Sequence, residues 1–196
     1  MTAGLKPWTM AESPEFRRAT LADLECLVAL ARRTFLEAYS ELNQPEYMNA
    51  HVQDAFSRDS LRELLNSDDT ITLLATAGGR PVAYAQLCRE SPCPGNAAGP
   101  SMELMRIYVD STVQGAGIGA GLLRESISLA KKTGHQSLWL QVWDRNPRAR
   151  RFYERHGFEA VGATSFMLGP ERQSDIVMAL ALAGAAGSSV RGAGCD

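Results

Sequence analysis

The residues from Val113 to Leu123 read VQGAGIGAGLL, four glycines and two alanines between a predicted strand and a predicted helix. Bare backbone lets a ligand approach main-chain N–H groups closely. With the positive end of a helix behind them, those groups suit a phosphate or pyrophosphate. A nucleoside-triphosphate loop needs Gly-Lys-Ser/Thr after its glycines, and Gly119-Ala120-Gly121 stands there instead. Gly115-x-Gly117-x-x-Ala120 satisfies the dinucleotide pattern, with Asp144 near the place of the ribose-binding acid. However, DSTVQ separates the strand from the first glycine, and too little chain follows Asp144 for further βα units. A tight loop at a close-packed helix start is the purely structural alternative.

Other residues could carry chemistry. Glu103 is the one carboxylate in the strand before the glycine loop, eleven residues upstream of Gln114. It suits either a base or an ordinary strand-start acid, because the preceding loop hides its burial. His135 follows a helix stop, His156 lies in a surface-looking turn, and His51 lies on a helix whose face is not oriented by the sequence. Five arginines, 145, 148, 150, 151 and 155, face one acid, Glu154, in the next motif. Arg148 is the candidate for an anionic ligand, and solvated helix charge accounts for the others. From Thr34 to Thr70 eight acids against two arginines leave a local charge of −6, which suits a cationic substrate and equally suits exposed helices.

These residues need elements to hold them. PEFRRAT reads as an edge strand, and Thr20 caps an amphipathic helix through Leu24, Leu27, Val28, Ala31 and Phe35. Helical spacing recurs after Pro45 and again in RDSLRELLNS, and TITLLATAGGRPVAYAQLC is a hairpin turning at Gly78-Gly79-Arg80. ESPCPGNAAGPS is a loop of the kind that shapes a ligand entrance. MELMRIYV is a strand, GIGAGLLRESISLAKKTG a helix closed by Gly134, and SLWLQVW a strand. NPRARRFYERHG is a helix with Asn146 as cap and Pro147 at its first position, and FEAVGAT and SDIVMALAL add two strands.

Gln114-x-x-Gly117-x-Gly119 opening a helix, a strand, then Asn146-x-x-Ala149-x-x-Phe152-Tyr153 followed by Gly157-Phe158 resembles the GNAT superfamily of acyl-CoA-dependent N-acyltransferases. The resemblance covers Met102 to Gly162. TFLEAYSELNQPEYMNAHVQDAFS and SFMLGPERQSDIVMAL look like the polyamine (spermidine/spermine) N-acetyltransferase branch. The fold implied is three-layer α/β, a mixed, mostly antiparallel, splayed sheet with helices on both faces. In it the strand before the glycine loop and SLWLQVW separate to admit acetyl-CoA.

The resemblance also implies roles. Amides of Gln114, Gly115, Ala116, Gly117, Ile118, Gly119 and Ala120 would bind the pyrophosphate, with Arg148 nearby. Backbone groups of Ile107, Tyr108 and Val109 would bond the pantetheine arm as an added strand does; the side chains of Ile107 and Val109 are expected in the core. Tyr153 matches the position whose hydroxyl assists the departing thiolate, its alternative being a core tyrosine beside Phe152. Asn146 serves as helix cap, cofactor ligand or both. Glu103 matches a position where several members carry a catalytic glutamate, which would deprotonate the acceptor ammonium, through water where needed.

At 196 residues, 45% hydrophobic and 21% charged, the chain suits one globular unit. We expect a flexible segment 1–14, an acetyltransferase domain 15–181 and a disordered tail 182–196. A net charge of −2 gives no general pull toward nucleic acid or anionic lipid. The opening residues lack the apolar core of a signal peptide, and no run is long and apolar enough to span a bilayer, so the expectation is a cytoplasmic protein. Cys26, Cys88, Cys93 and Cys195 show no zinc or disulfide spacing, so no metal is expected. The expected activity is acetyl transfer from acetyl-CoA to a primary amine of a small cationic acceptor such as a polyamine, by direct attack in a ternary complex, with a homodimer left open. A non-catalytic acyl-CoA-binding regulator and an acetylase of protein or peptide amines are the alternatives.

Overall fold

The computed structural model describes residues 13–95 and 99–182. Cys195, the expected tail beyond Leu182 and most of the expected N-terminal segment lie outside them; Leu182 itself, expected in the disordered tail, is buried and donates its N–H to the Gln136 carbonyl at 2.8 Å. Seven strands form one sheet in the order β1-β2-β3-β4-β5-β7-β6, comprising β1 (Glu15–Arg18), β2 (Thr70–Ala77), β3 (Arg80–Cys88), β4 (Ser101–Val109), β5 (Ser137–Trp143), β6 (Glu159–Leu168) and β7 (Glu171–Ala181). Every pairing is antiparallel except β4 with β5.

One face carries α1 (Leu24–Tyr39), α2 (Pro45–Ala55) and α3 (Arg58–Asn66); the other carries α4 (Ile118–Lys132) and α5 (Pro147–Glu154). β2 and β3 lie between these layers, which is why TITLLATA and PVAYAQL are apolar on both faces. Leu74 and Tyr84 pack under α1, whereas Ala75, Val82 and Ala83 pack under α4. α1 buries Leu24, Leu27, Leu30, Ala31, Thr34 and Phe35, the stripe that three- and four-residue spacing produces. α4 lies close against β1: a Cβ on Gly121 would collide with the ring of Phe16, so only glycine permits this approach.

The chain enters α1 through a 3₁₀ turn (Leu21–Asp23). The Thr20 backbone N–H and hydroxyl donate to Asp23 Oδ2 at 2.9 and 3.2 Å, and Arg17 donates to both Asp23 oxygens at 2.6 and 2.8 Å. β6 and β7 extend beyond FEAVGAT and SDIVMALAL, continuing through Phe166 and Arg172 to a turn at Gly169-Pro170. Most of β6 is exposed, so its outer half carries no alternation to read.

Candidate active site

β4 and β5 are joined by three residue pairs only, Ser101 with Ser137, Met102 with Leu138 and Glu103 with Trp139. Immediately afterwards β4 takes an extra residue, Met105, between Leu104, which faces Leu87, and Arg106, which faces Gln86. Such a bulge bends its strand and raises the local twist. From Leu104 to Val109 β4 therefore bonds β3 on one edge and, among the described residues, no strand on the other, while β5 turns to β7. A cleft of about 680 Å³ occupies the resulting wedge.

All the predicted cofactor residues line this cleft except Ala116. Ala116 packs instead against the core beneath α4, so the expectation of a ligand-facing Ala116 holds for its backbone at most. Ile107 and Val109 rest their side chains on the same core, as expected. The Gln114 and Ala116 amides turn back to the Ser111 and Val113 carbonyls, each at 3.4 Å. Those of Gly115, Gly117, Ile118, Gly119 and Ala120 reach no acceptor among the described residues. Gly117 begins α4 with φ +80°, and a Cβ placed on it or on Gly115 would meet nothing within 4 Å. Five unpaired amides at a helix N-terminus, facing open space, fit a pyrophosphate, and the free edge of β4 fits an extended pantetheine arm.

Gln114 and Arg148 meet at the cleft wall. The Gln114 side-chain amide donates to the Val109 carbonyl (3.1 Å), and its Oε1 accepts from Arg148 (2.9 Å). Asp110, buried at the end of β4, accepts from Arg33 of α1 (2.7 Å) and from the Thr112 hydroxyl (2.6 Å). Burial opposes its charge, but these bonds hold its carboxyl below the usual range and tie α1 to the loop. Asn146 Oδ1 accepts the Ala149 N–H at 3.0 Å, the expected cap, from within the cleft wall. Arg150 pairs with Glu154 (2.8 Å), an ordinary helix-surface contact.

Tyr153 projects from α5 into the larger cleft, 8% exposed, beside Phe152 and Phe158. Burial, helped by nearby Tyr39, pushes its phenol well above 10. His156, in the turn after α5, lines this cleft as well, with its ring 4.6 Å from that of Phe152. His135 is buried between Thr133 and the Arg89 carbonyl.

Glu103 lies at the apex of the wedge, outside the larger cleft. It lines a second cavity of about 260 Å³, on the α1–α2 side, with Tyr39, Tyr108, Trp143, Phe166 and Asp175. The two cavities meet at Tyr39, Met105, Arg106, Tyr108 and Gln141. Burial, and then Asp144, push the Asp175 carboxyl up. Arg106 stacks over Phe56 at 4.7 Å and donates to Gln86 Oε1 at 3.2 Å, with no carboxylate within 4 Å among the described residues. His51 also faces this cavity, where burial and then Arg106 lower its pKa. Of the eight acids between Thr34 and Thr70, only Glu37 lines either cavity, and it sits beside the cofactor loop, accepting from the Ser111 N–H (3.1 Å). The negative character of the smaller cavity comes from Glu103 and Asp175 instead.

Residues 32–158 match the model of the Acetyltransferase (GNAT) family. The chain belongs to the GNAT family. An uncharacterized N-acetyltransferase of Mycobacterium tuberculosis is 32% identical over 158 residues, 81% of this chain and 97% of its own length. A spermidine N(1)-acetyltransferase of Thermoplasma acidophilum is 26% identical over 75% of this chain and 89% of its own. Among solved structures, the PaiA N-acetyltransferase of Thermoplasma acidophilum in complex with coenzyme A superimposes with a TM-score of 0.72 at 24% identity, covering 86% of this chain and 99% of that one. This GNAT protein is an acetyl-CoA-dependent N-acetyltransferase. Among the described residues no helix is long and apolar enough to cross a membrane, and no three His, Cys, Asp or Glu side chains converge on a metal site.

Proposed function

We propose that the enzyme acetylates a primary amine of a small cationic acceptor, a polyamine in the first instance, with Tyr153 and Glu103 carrying the chemistry. The observation behind this reading is the junction of two cavities where β4 and β5 part, Tyr153 facing the larger and Glu103 the smaller. Bound acetyl-CoA supplies the thioester. Glu103 takes a proton from the acceptor ammonium so that the nitrogen lone pair can attack. Tyr153 donates a hydrogen bond to the sulfur as charge develops there. With its pKa raised, the phenol stays neutral, and full proton transfer to a thiolate whose conjugate acid has a pKa of about 8.5 runs uphill, so hydrogen-bond donation is its main contribution. Asn146, Gln114, Arg148, the loop amides and the β4 backbone hold the cosubstrate.

Support for a cationic acceptor comes from Asp175, a half-buried carboxylate with no ion-pair partner among the described residues, set among Tyr39, Trp143 and Phe166. An aromatic-walled site with a carboxylate favours an ammonium. The spermidine N(1)-acetyltransferase relative agrees with that class. The test compares turnover of spermidine, a mono-amine of equal length, an aminoglycoside and a short peptide at two salt concentrations. Spermidine should have the lowest KM, rising with salt. Preference for the peptide or the aminoglycoside defeats the polyamine reading and leaves the acetyltransferase standing.

A second reading has Arg106 behind it. An uncompensated guanidinium where the cavities meet favours an acceptor that carries an acidic group beside its amine. Adding an amino acid such as glutamate to the panel separates the two.

A further inference from the structure

Glu103 is held from the loop above it. The Ser91 hydroxyl donates to Glu103 Oε2 at 2.8 Å. Ser91 itself is clamped: its carbonyl accepts from the Trp139 indole N–H at 2.8 Å and from the Ser101 hydroxyl at 2.6 Å. Ser101 opens β4, and Trp139 is the β5 partner of Glu103 in the last pair before the wedge. Both donors are buried, Trp139 at 3% and Ser101 at 7% exposure, and Ser101 Oγ also accepts the Cys93 N–H (3.2 Å). One loop residue is thus pinned to both strands at the point where they separate.

We propose that Ser91 is the positioning residue that aims Glu103 at the acceptor, an inference resting on the reading of Glu103 as base. A glutamate in a half-exposed site has three side-chain torsions to fix, and rotamer freedom of this kind works against a productive geometry. Ser91 occupies Oε2. Among the described residues the other oxygen, Oε1, has only the Gln141 amide at 3.5 Å, too long for a strong bond, and is left to receive the proton. An N–H bond of the ammonium breaks, an O–H bond forms at Oε1 directly or through one water, and the proton then passes to solvent. Ser91 stays neutral throughout and exchanges no proton with the substrate.

The test uses the full chain with acetyl-CoA and, from spermidine, butylamine and a short peptide, whichever acceptor turns over fastest. Ser91→Ala should lower kcat roughly tenfold, with melting temperature and KM for acetyl-CoA unchanged, and Ser91→Thr, which keeps the hydroxyl, should restore most of the loss. In a Glu103→Gln background Ser91→Ala should have no further effect, because two residues acting as a unit are not additive. An equal loss in both backgrounds assigns Ser91 a structural role and overturns the proposal. So does full activity of Ser91→Ala where Glu103→Gln is impaired. Full activity of Glu103→Gln itself removes the base reading, and this inference with it.

Discussion

On the proposed reading, Gly117 is the residue on which cofactor capture turns. Aspartate tolerates the left-handed backbone at that position, and a carboxylate at a helix N-terminus suits the helix dipole, so Gly117→Asp should fold. Its side chain would nevertheless enter the space before the five unpaired amides with the same sign of charge as a pyrophosphate. We expect calorimetry to find no acetyl-CoA binding, and unchanged affinity in the folded variant would remove the phosphate-cradle reading. Tyr153→Phe should leave that affinity intact and lower kcat by about 10²-fold, since its hydroxyl acts only as the thiolate develops. Glu103→Gln should cost most at low pH, where nearly all the acceptor is ammonium. The places of the glycine loop, Asn146 and Tyr153 on the cleft wall were legible because each belongs to a contiguous motif that can be read locally along the chain. Ser91, Tyr39, Arg106 and Asp175 come from four separate elements or loops and meet only in the folded sheet, so no spacing along the chain announces them. Glu103 falls between: its place in the strand was legible, its partner on the loop was not.

Among the elements, the entry to α1 has a measurable dependence on pH. The hydrogen bonds from Arg17, working against burial, hold the Asp23 carboxyl down at about 2, from an ordinary 3.8. A depressed carboxyl contributes stability that is fully present above its unfolded pKa and is lost as pH falls through the folded one, here between about 4 and about 2. With the half-exposed Arg17 screened by solvent, the contribution is on the order of 1–2 kcal/mol. Urea titrations of Asp23→Ala against the parent should show that gap at pH 7 and a narrowing gap below pH 4. A gap independent of pH would assign the loss to the Thr20 cap geometry alone. Helix starts and the β2–β3 hairpin were readable because caps, glycines and apolar periodicity are local signals. The outer half of the β6–β7 hairpin was not, because strands with no buried face leave only cross-strand pairing to define them.

For the whole molecule, three residue pairs between β4 and β5 mean that two packed half-sheets share a narrow seam. One half is β1 to β4 with α1 to α3; the other is β5, β7 and β6, and α4 with the core beneath it spans both. An extended ligand lying along the free edge of β4 acts as a strand that is otherwise missing, so the cosubstrate becomes part of the architecture it binds. Acetyl-CoA at a hundred times its dissociation constant should stabilise the fold by about 2.7 kcal/mol. Amide exchange from Leu104 to Val109 and in β5 should slow together, and desulfo-coenzyme A, which keeps the arm and pyrophosphate, should reproduce most of the effect. Protection confined to the glycine loop would mean that the wedge stays unbridged. Because a ligand held by the folded state alone stabilises it, the unloaded enzyme should be the more open to proteolysis, and its abundance would then follow the supply of its own cosubstrate.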